Sequence, residues 1–206
     1  AELKGCECIS TGSFELGMAA AGACTVSDQG IMIADECGFN GASSASSASS
    51  RGLCIVTGQA VLRDCHATRN LAQGFRVYGN GSKLVAQSCC VQGSEKQGEV
   101  LCGAIVNLVD CEISGGNRPC CSILVKGSGT VLNAKSCTFS GCSFSGSAST
   151  EAGASSSMCV LVVQGASARF SKCAIDDWRG CGCDVFGALS SLLAVECSFS
   201  GNGVCG

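Results

Sequence analysis

An all-β solenoid of about seven to eight short coils, folded as one domain with a cysteine-lined core, is expected from this chain. Twenty of its 206 residues are cysteine, 29 are glycine and one is proline. Two patterns centred on cysteine recur along the chain, and the segments that carry them alternate apolar and polar residues. Alternation with a period of two is typical of half-buried strands, and a repeated unit of about 20 to 50 residues is typical of a solenoid.

The first pattern is apolar-x-apolar-x-x-Cys-x-apolar, often followed by x-Gly. It recurs at intervals of 22 to 36 residues, from "IMIADECGF" to "SLLAVECSF". In parallel sheets, equivalent residues of successive coils lie about 4.8 Å apart. The cysteines of this pattern are therefore predicted to form one file inside the coil. They are Cys37, Cys65, Cys89, Cys111, Cys137, Cys173 and Cys197.

The second pattern places a cysteine beside a short apolar run, as in "LCIVTG" and "MCVLVVQG". In one unit, "GFRVYG", Phe75 takes the place of the cysteine. A large apolar residue at this position indicates an inward-facing site, where cysteine serves as a small apolar side chain. A second interior file is therefore predicted. Its members are Cys24, Cys54, Cys102, Cys121, Cys159, Cys183 and Cys205.

The domain organisation follows from the extent of the repeat. Residues 1–206 are expected to form a single solenoid domain, with an N-terminal cap or first coil in residues 1–23 and the repeated coils in residues 24–205. Two low-complexity insertions rich in Ser, Ala and Gly lie near residues 41–50 and 143–157. Both leave the coil after the same corner, so they should project from one side as flexible loops.

The repeated unit G-x-apolar-x-apolar-x-x-C-x-apolar-x-G resembles that of pectate-lyase-like proteins over most of the chain, residues 24–205. The resemblance implies a right-handed parallel β-helix. Enzymes of this fold commonly cut polysaccharides, with paired Asp residues or with a Lys or Arg base beside bound calcium. The Gly-His-Gly and Arg-x-Lys motifs of a polygalacturonase-like site are missing from this chain. We therefore expect a non-catalytic member of that group.

The catalytic candidates are Asp176, Asp177 and Arg179, which flank Trp178 in "CAIDDWRG". Two carboxylates beside an aromatic ring could serve glycoside hydrolysis. However, neighbouring side chains of a strand point to opposite faces, and the pair lies at a predicted turn. This arrangement favours an exposed turn with a packed Trp over an active site. The residues considered for ligand binding are Trp178, Ser143 and Phe144.

The other chemistry-bearing residues are one histidine and the remaining cysteines. A dyad of His66 with Cys65 is geometrically poor, because adjacent residues of a strand face opposite ways. The paired C-x2–4-C spacing of zinc sites is absent, so no metal and no cofactor is predicted. Interior cysteines are expected to be inert through burial, although bridges between coils stay open because 4.8 Å lies within the Cα range of a disulfide. Disulfides near turns or ends are expected from Cys6, Cys8, Cys90, Cys120, Cys142 and Cys181.

Charge and hydropathy limit the kinds of function. The net charge is −3, charged residues make up 14% of the chain, and no basic block is present, so nucleic-acid binding has no electrostatic basis. No run of about 18 apolar residues exists, which argues against a membrane span. A solenoid surface with so few charges indicates that a partner covers part of it.

These observations favour a non-enzymatic structural or assembly protein. Such a rigid β-helix would dock onto a larger complex as an extrinsic subunit, or scaffold one, through protein partners. The alternatives are a carbohydrate-binding module and a polysaccharide lyase or hydrolase of the β-helix type. The high cysteine content favours export to the extracellular space, the cell surface or an organelle lumen.

Overall fold

The structure is a computed structural model that describes residues 1–10, 22–41, 51–68, 70, 73–94, 96–115, 122–141, 158–178 and 180–203. It contains 23 strands in the described residues, and every strand pairing is parallel. The predicted all-β parallel solenoid is therefore confirmed. The described part of the chain includes no helix long and apolar enough to cross a membrane. Apart from Gly41, the two predicted insertions lie outside the described residues.

Three sheets form the walls of the coil, and each coil supplies one strand to each sheet in turn. Sheet A consists of β1 (Glu2–Lys4), β4 (Ile31–Asp35), β7 (Gln59–Arg63), β10 (Lys83–Gln87), β13 (Ile105–Val109), β16 (Val131–Lys135), β19 (Ser167–Ser171) and β22 (Ser191–Val195). Sheet B consists of β2 (Glu7–Ser10), β5 (Gly38–Gly41), β8 (His66–Thr68), β11 (Cys90–Gln92), β14 (Glu112–Ser114), β17 (Thr138–Ser140), β20 (Ala174–Asp176) and β23 (Ser198–Ser200). Sheet C consists of β3 (Gly22–Ser27), β6 (Arg51–Val56), β9 (Gln73–Tyr78), β12 (Lys96–Leu101), β15 (Ile123–Lys126), β18 (Val160–Val163) and β21 (Cys183–Phe186).

The core lies between the three sheets and follows from the alternation in each strand. In β13, for example, Val106 and Leu108 are buried, whereas Ile105 and Asn107 on the opposite face are not. In sheet A, one inward row alternates large and small side chains from coil to coil, so that each large side chain packs over a small one. The row is Leu3, Ala34, Leu62, Ala86, Leu108, Ala134, Phe170 and Ala194.

The corner between sheets A and B depends on one residue in the left-handed region. This residue directly precedes the cysteine of the first pattern, and its φ lies between 52° and 58° in every coil. Non-glycine residues adopt this conformation rarely, because Cβ then approaches the following carbonyl. The side chains here are polar or absent, and the backbone bend turns the next residue into the core. The residues are Gly5, Glu36, Asp64, Ser88, Asp110, Ser136, Lys172 and Glu196.

Hydroxyl groups hold the corner between sheets C and A. The buried Thr130 accepts a hydrogen bond from the Gly103 N–H and donates one to the Lys126 carbonyl, both at 2.9 Å. Ser82 and Ser190 repeat this arrangement in other coils. The Thr130 hydroxyl thus ties its own turn to the turn of the preceding coil and satisfies the Gly103 N–H, which would otherwise be unpaired.

Candidate functional site

The cysteines of the first pattern lie in one row at the corner between sheets A and B. The backbone carbonyl of each accepts a hydrogen bond from the residue after the next cysteine of the row, as Cys89 does from Glu112 at 2.9 Å. Cys6, which was expected to be a disulfide-forming cysteine outside this file, begins the same row, since its carbonyl accepts from the N–H of Gly38. We name this row the cysteine ladder: Cys6, Cys37, Cys65, Cys89, Cys111, Cys137, Cys173 and Cys197.

From Cys37 to Cys173 the ladder thiols are buried and hydrogen-bonded to the backbone, whereas Cys6 is exposed and Cys197 is half-buried. Cys137 is 1% exposed; its Sγ donates to the Lys135 carbonyl at 3.2 Å and accepts from the Cys111 N–H at 3.5 Å. Hydrogen bonds to the neighbouring thiols of Cys111 and Cys173, together with burial, raise the pKa of Cys137. A protonated thiol away from solvent is neither nucleophilic nor metal-binding, so Cys137 serves packing in the core.

The predicted second file is not continuous. Cys24 and Cys183 share one inward row of sheet C with Phe75, as expected. Cys54, in contrast, pairs with Thr25 and lies one residue out of that register. The predicted shared row therefore does not include Cys54, whose side chain lies outside the described residues.

Two further members of the predicted second file lie outside the strands. Cys102 is exposed at a turn with φ of 56°, so its assignment to the core is wrong. Cys159 is buried but directly precedes β18, in line with Ser122 rather than with Cys24. Cys121 and Cys205 lie outside the described residues.

The expected disulfides are absent from the part of the chain that the structure describes. Cys90 is a half-buried thiol on the outer face of sheet B, and Cys181 also forms no disulfide. The prediction of bridges at these positions is corrected accordingly. The side chain of Cys8, together with Cys120 and Cys142, lies outside the described residues.

The acidic pair at the end of β20 has structural contacts. Asp176 Oδ1 accepts hydrogen bonds from the Ser200 hydroxyl at 2.7 Å and from its N–H at 3.1 Å. Asp177 is exposed with φ of 62°. The two carboxylates thus differ in environment, and Asp176 is engaged with the next coil. Arg179 lies outside the described residues.

Trp178 is a core residue and cannot be a binding platform. Its side chain is 3% exposed, and its Nε1–H donates to the Phe139 carbonyl at 3.3 Å. Asn70 and Asn202 donate to equivalent carbonyls in other coils, so Trp178 fills a repeated corner position. The prediction of a ligand contact at Trp178 is therefore wrong. The other binding candidates, Ser143 and Phe144, lie outside the described residues.

A cavity beside the cysteine ladder is too small for a substrate. It has a volume of about 30 Å³ and is lined by Phe39, Phe75, Leu108 and the thiols of Cys65 and Cys89, among others. This volume approaches that of one or two waters, and its apolar lining keeps it dry. The cavity is a packing defect of the core.

Sequence reasoning missed a row of functional groups on the outer face of sheet B. His66 pairs in register with Cys90, and Cys90 with Glu112, on the adjacent strands β8, β11 and β14. The signal was the residue that follows the ladder cysteine in successive coils. Burial, and then the nearby charges of Glu112 and Cys111, raise the pKa of the Cys90 thiol. In their described conformations, no three His, Cys, Asp or Glu side chains converge as a metal-binding set.

The last coil carries the largest group of exposed apolar side chains. Phe186 is 73% exposed and Leu189 is 91% exposed. Only Ile31, Tyr78 and Ile105 are large exposed hydrophobic residues elsewhere in the described chain. We name this group the terminal apolar patch: Val185, Phe186, Leu189, Leu193 and Val195.

Comparison of the chain with protein-family models, with curated proteins and with solved structures gave no match. The resemblance to pectate-lyase-like proteins is therefore limited to the parallel solenoid architecture and does not place the chain in that family.

Proposed function

We propose that this protein is a non-enzymatic structural protein that assembles end to end, with its last coil as the docking surface. The observation that carries the proposal is the terminal apolar patch, where five large hydrophobic side chains are exposed within residues 185–195. A group of large exposed apolar side chains is typical of an interaction site. The remainder of the outer surface offers no comparable group among the described residues.

The backbone at this end supports a β-structured partner. Among the described residues, strands β21, β22 and β23 are each the last strand of a sheet and pair on one side only. An open strand edge presents unpaired N–H and C=O groups, which an added strand satisfies. A partner that supplies both strands and apolar side chains would match this end, and another parallel coil has both.

We propose a second copy of this chain as that partner. At the other end of the described solenoid, strands β1, β2 and β3 likewise pair on one side only. The alternating inward row of sheet A begins with the large, half-buried Leu3 and ends with the small, exposed Ala194. Placing Leu3 of one copy over Ala194 of the next continues the alternation without a clash. Such a head-to-tail contact leaves both outer ends free and extends into a rod.

The proposal is tested by sedimentation velocity over a range of protein concentrations. Wild-type protein should form oligomers that grow with concentration, while Ala194→Glu and Phe186→Asp should be monomeric, because a charge at the contact stays unpaired. Ile105→Asp is the matched control, since it places a charge on an exposed aliphatic position far from either end. Wild-type protein that stays monomeric throughout, or an Ala194→Glu variant that assembles normally, rules the proposal out.

A mixing experiment tests the head-to-tail polarity. Leu3→Glu should also be monomeric, because it blocks the opposite end. Ala194→Glu keeps an intact first coil and Leu3→Glu keeps an intact last coil, so a mixture of the two should form dimers and nothing larger. A mixture that remains monomeric excludes a heterologous contact between the two ends.

An exported or lumenal location is a separate part of the proposal. It is supported by the cysteine content, at 20 of 206 residues, because a high cysteine content is typical of exported proteins. It is tested by fractionating the native source. Recovery of the protein outside the cell or in an organelle lumen supports this part of the proposal, and recovery in the cytosol contradicts it.

A further inference from the structure

Three strands of sheet B place a nitrogen, a sulfur and an oxygen donor in one straight outward row. The Cα atoms of His66 and Cys90 are partners in the ladder of β8 and β11, and those of Cys90 and Glu112 are partners in β11 and β14. Successive strands lie about 4.8 Å apart. The register of the solenoid, rather than closeness in sequence, brings these three residue types together.

The lengths of the three side chains suit convergence on one point. Cys90 is the short side chain in the middle, and His66 and Glu112 are the longer side chains on either side. The outer two Cα atoms are separated by two strand spacings, or about 9.6 Å. Donors around a tetrahedral zinc lie roughly 3.5 Å apart, given bonds of about 2.0 to 2.3 Å. A shared ion therefore requires the imidazole and the carboxylate to lean inward by that amount, above the thiol.

The three groups are accessible and uncommitted. His66 and Glu112 are exposed, and Cys90 is half-buried. Within the described part of the chain, no hydrogen bond or ion pair holds any of the three side chains. The imidazole of His66 instead rests over Gly38, where a Cβ would come within 2.8 Å of its Nε2. Glycine at this position thus leaves His66 a resting place away from Cys90.

We propose that His66, Cys90 and Glu112 form a three-ligand site for a divalent metal ion such as Zn²⁺ on the outer face of sheet B. Imidazole nitrogen, thiolate sulfur and carboxylate oxygen are the ligands that zinc takes from proteins, and three of them leave a fourth position open. The imidazole of His66 turns from Gly38 toward Cys90 when the ion binds. Cys90 releases its thiol proton to solvent as the sulfur binds. This site is independent of end-to-end assembly.

Cobalt is the probe for the ligands, because a thiolate bound to Co²⁺ gives a charge-transfer band in the near ultraviolet. Titration of the whole protein with Co²⁺ should produce this band, and Zn²⁺ should displace it. Cys90→Ser should abolish the band although it leaves every ladder thiol in place. His66→Asn and Glu112→Gln should each weaken Co²⁺ binding by more than about 100-fold, the upper range for loss of an outer-shell partner.

Matched controls separate the site from adventitious thiol binding. Cys102→Ser removes another exposed thiol, and Thr138→Ala changes the next residue of the same outward row; both should bind Co²⁺ as wild type does. A band that persists in Cys90→Ser overturns the proposal. So does a band that depends on Cys90 but is unchanged by both His66→Asn and Glu112→Gln, because that result indicates a single thiol.

Gly38→Ala is the variant that should improve binding. The added methyl group excludes the imidazole from its place over residue 38, so His66 is biased toward Cys90 before the ion arrives. We expect a several-fold tighter Co²⁺ affinity and a larger rise in the thermal midpoint at a given Zn²⁺ concentration. Unaltered or weaker binding by a normally folded Gly38→Ala variant contradicts the assigned role of His66.

Discussion

The ring of Phe75 occupies the space that a side chain at Gly98 would need. The two residues are register partners on β9 and β12 in an inward row of sheet C, and a Cβ built on Gly98 would overlap the end of the Phe75 ring. Phe75 itself is 3% exposed. The largest residue of this row is therefore accommodated by the smallest one in the next coil.

Gly98→Ala should destabilise the protein through this contact. The added methyl group overpacks a dense core, which typically costs about 1–3 kcal/mol of unfolding free energy. Phe75→Leu should relieve the clash, so the double variant should be more stable than the sum of the single changes predicts. Urea unfolding of the four proteins gives the coupling energy directly. Additive single effects would show that the ring and residue 98 do not interact.

Thr130 should contribute more to the unfolding free energy than the size of its side chain suggests. Thr130→Val keeps the shape but leaves the Gly103 N–H without its acceptor, and an unsatisfied buried donor costs about 1–3 kcal/mol. Thr130→Ser keeps the hydroxyl and should lose much less. Ser190→Ala is the control, because the equivalent contact lies in the last coil, where water can replace it. Equal losses in all three variants would contradict the corner's dependence on the buried hydroxyl.

Much of the architecture could be predicted because the same residue types recur at equivalent positions of the repeat. The apolar alternation of β13 and the recurring Cys111 position specify strands, faces and the interior row without further information. The left-handed residue before each ladder cysteine was visible only as a polar position. Its conformation follows from the need to turn a corner, which polarity alone does not reveal.

The second cysteine pattern failed for a physical reason. A period of two makes the face of a side chain depend on an exact count from the turn, and Cys54 differs from Cys24 by one residue in that count. Cys102 belongs to the turn itself. The row of His66, Cys90 and Glu112 was missed because its members are more than 20 residues apart and meet only through strand register.

Ladder cysteines should contribute to stability as apolar groups. Cys111→Ala removes a sulfur that is 4% exposed and should cost about 1–2 kcal/mol, through lost contacts and a small cavity. Cys102→Ala removes an exposed sulfur and should change stability by less than about 0.5 kcal/mol. Both values come from urea unfolding under reducing conditions. A Cys111→Ala variant as stable as wild type would mean that the ladder is not tightly packed.

Cys183 should make the unfolding free energy fall as the solution becomes alkaline. Burial, followed by the nearby thiols of Cys197, Cys173 and Cys181, raises the pKa of Cys183 to about 12, against about 8.5 in an unfolded chain. Between these values the unfolded chain has lost the proton and the folded protein keeps it. The contribution is therefore fully present below about pH 8.5 and is lost as the pH rises toward 12, at up to about 1 kcal/mol per pH unit.

Comparison of wild type with Cys183→Ala isolates the contribution of Cys183, because both proteins contain the ladder thiols. Those thiols are hydrogen-bonded to one another and titrate together. The variant also loses packing, so the slopes of unfolding free energy against pH are compared rather than the values themselves. Urea unfolding between about pH 8 and 11 should give a shallower decline for Cys183→Ala than for wild type. Parallel slopes would show that Cys183 ionises as easily in the folded protein as in the unfolded chain, and that the last coil leaves this sulfur in contact with water.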